Sequence, residues 1–93
     1  MIKHIVMWTL NDPADAPRFK SLLETCKGLV PGMREFYVAV RAEGLEASHD
    51  VVLCSVFDDA AALQSYVVHP KHQSVAATLG TLRASRAVFD FEA

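Results

Sequence analysis

The chain has 93 residues, of which 52% are apolar and 22% charged, and its formal net charge is −2. That length supports one domain over residues 1–93, and the slightly acidic balance leaves no electrostatic footprint for nucleic acid or an anionic membrane surface. No apolar run approaches a membrane span, and the start, Met1-Ile2-Lys3-His4-Ile5-Val6, has no h-region or cleavage site of a signal peptide, so the expected location is the cytoplasm.

Residues 2–10 are dense in β-branched and aromatic side chains and stop at the turn signal Asn11-Asp12-Pro13, which predicts a strand. Phe19, Leu22, Leu23 and Cys26 then fall at i, i+3, i+4 and i+7, one stripe of a helix. Asp15 is its expected N-cap, with Pro17 tolerated in the first turn. Gly28 is the expected stop, and Pro31-Gly32 forbids continuation. Met33 to Arg41 alternates as a strand, with Phe36, Val38 and Val40 on one face and Tyr37 and Ala39 on the other. A polar connection, Ala42 to Asp50, carries a solvated His49, and Val51 to Phe57 forms the third strand. The two cysteines, Cys26 and Cys54, are far apart and are expected as free thiols. Neither has a basic neighbour in sequence that would make it a nucleophile.

Asp58 and Asp59 suit the N-terminus of a second helix, whose apolar stripe is Leu63, Tyr66 and Val67. His69 precedes Pro70 and is biased away from helical dihedrals, whereas Pro70 is at home as a first helical residue. A third helix follows, with His72, Val75, Ala76 and Leu79 at helical spacing. A last strand, Ser85 to Phe91, sends Ala87, Phe89 and Phe91 one way and Arg86, Val88 and Asp90 the other.

The order β-α-β-β-α-α-β predicts an α+β, ferredoxin-like fold: a four-stranded antiparallel sheet with its helices on one face. The strands are apolar on both faces, yet helices can cover only one. The uncovered face, carrying Ile5, Met7, Cys54 and Phe89, therefore predicts a homodimer closed sheet against sheet.

Tyr66-Val67-Val68-His69-Pro70-Lys71-His72 concentrates one tyrosine and two histidines in seven residues. A histidine on a helix stripe is by default a core residue bonded to backbone, and a tyrosine at helical spacing is an ordinary core tyrosine. Together with His4 and Arg86 from two strands, however, they could converge as the few polar groups of an otherwise apolar pocket. In that pocket a neutral His72 would act as a base toward a carbon acid, with Tyr66 donating to the developing oxyanion. Arg86 would favour an acidic ligand group, since its fork binds a carboxylate through two hydrogen bonds. Metal ligation by His69 and His72 is disfavoured because no carboxylate or cysteine completes the set. No Gly-rich phosphate loop is present, and no cofactor is expected.

Four blocks in order, Lys3-His4-Ile5-Val6, Leu29-Val30-Pro31-Gly32-Met33, Tyr66 to His72, and Val88-Phe89-Asp90-Phe91, resemble the stress-responsive A/B barrel (Dabb) family over essentially the whole chain. The resemblance implies a dimeric α+β barrel. It also implies a small-molecule-binding or stress-response protein or, alternatively, a cofactor-free enzyme of polyketide cyclase, isomerase or monooxygenase type. In a cyclase of the family, a tyrosine and a histidine that correspond to Tyr66 and His72 serve an intramolecular aldol condensation. Histidines corresponding to His4 and His69 line its pocket. The walls expected here are Val6, Trp8, Phe19, Leu23, Leu53, Val75 and Val88. Arg86 and Trp8 depart from that cyclase's lining and argue against its long-tailed aromatic substrate.

Overall fold

In a computed structural model that describes residues Met1–Ala93, the β-branched N-terminal segment is strand β1, Ile2–Leu10. The remaining elements are α1 (Ala16–Glu24), β2 (Met33–Val40), β3 (Val51–Phe57), α2 (Ala60–Val68), α3 (Pro70–Leu82) and β4 (Arg83–Glu92). The four strands form one sheet in the order β2-β3-β1-β4, every neighbouring pair antiparallel. β1 is therefore central, although it comes first in the chain, and its other neighbour is the last strand. The pairing runs from Ile2 opposite Glu92 to Leu10 opposite Arg83, with an irregularity between Thr9 and Leu10. The expected fold class, α+β and ferredoxin-like with a split second helix, is the one observed. No helix is long and apolar enough to cross a membrane.

The period-2 pattern sorts the sheet into two unequal faces. His4, Val6, Trp8 and Leu10 of β1, Phe36 and Val38 of β2, and Val51, Leu53, Ser55 and Phe57 of β3 are buried beneath the helices. Phe19, Leu23 and Cys26 meet them from the first helical segment, Tyr66 from α2, and Val75, Leu79 and Leu82 from α3. The opposite face is apolar but bare. It carries Met7, Tyr37 and Phe91 exposed and Phe89 68% exposed, with Ile5, Val52, Cys54 and Val56 half-buried among them.

Local chemistry explains the departures from sequence expectation. Asp15 does not cap α1, because its dihedrals are already helical and its side chain bonds to no amide. Asp12, in extended conformation, instead caps a 3-10 turn over Pro13–Asp15 by accepting from the Ala14 N–H at 3.0 Å. α1 also ends at Glu24 rather than near Gly28. The Thr25 hydroxyl donates to the Leu22 carbonyl at 2.6 Å, and the tighter i→i+3 bonds that follow, Cys26 N–H to Leu23 O among them, turn Cys26 into the core beyond the helix.

β4 starts at Arg83, two residues before the expected Ser85, since β1 is long enough to pair that far. Val67 and Val40 are exposed, the first turned off the buried stripe of α2 and the second at the end of an edge strand. Asp59 caps α2 as expected, accepting from the Ala62 N–H at 2.8 Å. Asp58 instead pairs in bidentate fashion with Arg34, at 2.5 and 2.9 Å.

Candidate active and binding site

The break between α2 and α3 is local in origin. His69 is extended, at φ −62° and ψ 133°, as a residue before proline prefers. Its ring Nδ1 accepts from the Lys71 N–H at 3.0 Å, so the side chain serves as the N-cap of α3. His69 thus closes one helix through its own N–H to Tyr66 O and opens the next. The break lets α3 run back over β1 and β4, and this leaves a cavity of about 190 Å³ between sheet and helices.

His4, Val6 and Trp8 of β1, with Leu53 of β3, form its floor. Leu23 and Tyr66 close one side. His72, Val75, Ala76 and Leu79 of α3 close another, and Arg83 and Arg86 stand at the β4 end. The structure thus brings together Tyr66, His72, His4 and Arg86, which sequence reasoning had linked, along with five expected wall residues. Three expected positions do not line the cavity. Phe19 is fully buried behind Trp8, edge to face at a ring separation of 5.0 Å. His69 is committed to its cap, and Val88, although opposite Val6 in the ladder, is 48% exposed.

The polar groups have defined roles. His4 is buried, and its Nδ1 is hydrogen-bonded to the Asp90 carboxylate across the β1–β4 pair. An ionised carboxylate only accepts, so a proton of His4 is on Nδ1. His72 likewise carries a proton on Nδ1, which it donates to the Val67 carbonyl at 3.0 Å. Burial is the largest influence on the His72 pKa and lowers it. The Val67 bond opposes this, while His4, Arg86 and His69 add to the lowering. His72 is consequently a neutral base at neutral pH.

Tyr66 lies between the two histidines, with ring centroids 4.3 Å from His72 and 6.4 Å from His4. Burial raises its pKa, with a smaller contribution from Cys26, so the hydroxyl stays protonated. Yet this hydroxyl is fully buried and has no hydrogen-bond partner. Native folds seldom leave such a group alone.

Sequence reasoning missed three features of the site. Asp90 lies on the helix-facing side of β4, and a correct β1–β4 register would have put it opposite His4. Arg83 fell outside the expected strand. The lack of a partner for Tyr66 is a packing property that no sequence pattern carries. A second hollow, larger at about 460 Å³, lies between the 41–50 connection and the bare sheet face around Met7, Ala39 and Val52. His49 is there, bonded to Ser48 at 2.9 Å, but none of the Tyr66 group is. No cluster of three or more His, Cys, Asp or Glu side chains is arranged to hold a metal ion.

Comparison with known proteins yields a consistent picture. The model of the stress responsive A/B barrel domain matches residues 2–93. An uncharacterised protein of Streptomyces coelicolor is 33% identical over 79 residues, covering 80% of this chain and 81% of that one. A ferredoxin-like protein of unknown function from Bacteroides fragilis, described as dimeric, superposes with a TM-score of 0.83 at 26% identity, covering 99% of this chain and 95% of that chain. A cofactor-independent oxygenase from Streptomyces nogalater shares the fold at a TM-score of 0.79 and 17% identity, covering 99% of this chain and 91% of that chain.

Proposed function

The chain belongs to the stress-responsive A/B barrel domain family, and from that premise we propose that it is a homodimer that binds a small organic molecule in the cavity between each sheet and its helices. The observation that carries the binding reading is the cavity itself, whose walls are mostly apolar, with His4, Tyr66, His72, Arg83 and Arg86 as its few polar residues, the composition of a ligand pocket. The bare apolar sheet face supports the dimer, as does the dimeric description of the Bacteroides fragilis protein. Two free thiols, Cys26 and Cys54, fit a reducing compartment such as the cytoplasm. A role in stress response is the physiological setting that the family's name points to.

Native mass spectrometry of freshly purified protein, followed by solvent extraction, tests the binding reading. A bound molecule that wild type retains and a cavity-filling Ala76→Phe variant releases supports it. Extraction of nothing, with no stabilisation by any member of a metabolite panel, would sink it.

One observation favours turnover as a second reading. His4 and His72 both hold a proton on Nδ1, and the neutral His72 keeps Nε2 basic, with a protonated phenol between the two rings. The reaction such a set supports is removal of a proton from carbon beside a carbonyl, with Tyr66 donating to the oxygen as it gains charge. Asp90 would stabilise a histidinium at His4, as a carboxylate does behind a general base. The cofactor-independent oxygenase with this fold shows that one protein of this architecture works without a cofactor. Exchange of acidic C–H for deuterium in a bound ketone, followed by NMR, distinguishes the readings. His72→Gln or His4→Gln should slow exchange by about 10²–10⁴-fold if that residue is the base.

A further inference from the structure

Arg83 and Arg86 both reach the β4 end of the cavity. Both are exposed, and neither guanidinium takes part in any of the four ion pairs of the molecule, which involve Met1, His4, Arg34 and Arg41. No Asp or Glu lines the cavity. The one carboxylate nearby, Asp90, is engaged by His4. Two unpaired guanidinia at the opening of an apolar chamber form an anion-selective mouth, because each can bind a carboxylate through two parallel N–H donors. Deeper in, the polar side chains of the lining are those of His4, Tyr66 and His72. A cavity of about 190 Å³ is below the range of roughly 300–1,000 Å³ typical for drug-sized ligands, so the occupant is small.

We infer that the ligand is a small organic acid, its carboxylate held by Arg83 and Arg86 at the mouth and its apolar part inside. This rests on the binding reading above and specifies its ligand class. The apolar part of the acid would lie on Trp8, Val75 and Leu79.

Calorimetric titration of the ligand-stripped protein tests the assignment. The probes are benzoylformate, 3-benzoylpropionate and 4-benzoylbutyrate, which vary the length of the apolar part, together with the methyl ester of whichever binds best. At least one acid should bind tenfold or more tightly than its ester. Arg83→Gln and Arg86→Gln should each weaken the acid about tenfold and leave the ester unchanged. Both side chains are exposed, so the variants should fold as wild type does, which circular dichroism checks.

Equal binding of ester and acid overturns the inference while the pocket stands. Acid binding that is indifferent to both arginine variants overturns it too, and assigns the acid to another surface such as the hollow beside the 41–50 connection. Failure of every probe, ester included, overturns this inference and the binding reading together.

Discussion

A buried hydroxyl left without a partner destabilises a fold by about 1–3 kcal/mol relative to a satisfied one, and Tyr66 carries such a hydroxyl. Tyr66→Phe should therefore melt at or above the wild-type temperature, which differential scanning calorimetry reads. A variant that melts several degrees lower would mean that the hydroxyl has a partner after all.

His72 makes a separate prediction. Burial lowers its folded pKa beneath the ordinary 6.5. As pH falls through the unfolded value, the unfolded chain takes up a proton that folded His72 resists, so acidification destabilises the native state from about pH 6.5 down to the folded pKa. His72→Gln should flatten that part of the stability profile and leave the slope near neutral pH alone. Urea unfolding between pH 7 and 5 checks it, and an unchanged acid slope would place the titrating group elsewhere. The site was legible in the sequence where pattern carries chemistry, as in the Tyr66 to His72 run. It was not legible where two distant strands must be placed in register, as for His4 and Asp90.

At the scale of elements, punctuation residues determined most of what could be read. Pro70 splits the second helical segment where expected, and Asp59 caps α2. The misjudged ends were those decided by tertiary pairing or by competing side-chain bonds: the start of β4, and the end of α1 at Thr25. Gly32 is the turn with the least tolerance. Its φ is +87°, and a Cβ there would lie 2.8 Å from the Cβ of Ala62, directly after the capped start of α2. Gly32→Ala should cost about 1–3 kcal/mol from the left-handed backbone alone, with the clash added. Chemical denaturation measures this. Gly28→Ala offers a comparison, since it shares the positive φ but has nothing within 4 Å. Equal losses in the two variants would remove the packing part of the argument.

For the whole molecule, the bare sheet face decides the state in solution. In the subunit Phe89 is 68% exposed, beside Phe91 at a ring separation of 5.9 Å, so a charge there harms an interface more than a core. Phe89→Asp should give a folded species near the subunit mass of 10.2 kDa, where wild type should scatter as twice that. The exposure of Phe89 within the subunit makes a folded monomer the expected outcome. A Phe89→Asp protein that remained dimeric would show that the copies meet through another surface.

The central strand comes first in the chain and its partner β4 comes last, and the bond between His4 and Asp90 spans 86 positions. Closing so long a loop carries an entropic cost before any contact compensates it, and folds dominated by distant pairings form slowly. The floor of the cavity, with His4 and Trp8, waits on β1, while its mouth, with Arg83 and Arg86, waits on β4, the fourth of the strands in sequence. A refolding chain should then gain helical signal well before it can retain a ligand, and binding should appear with the slowest phase.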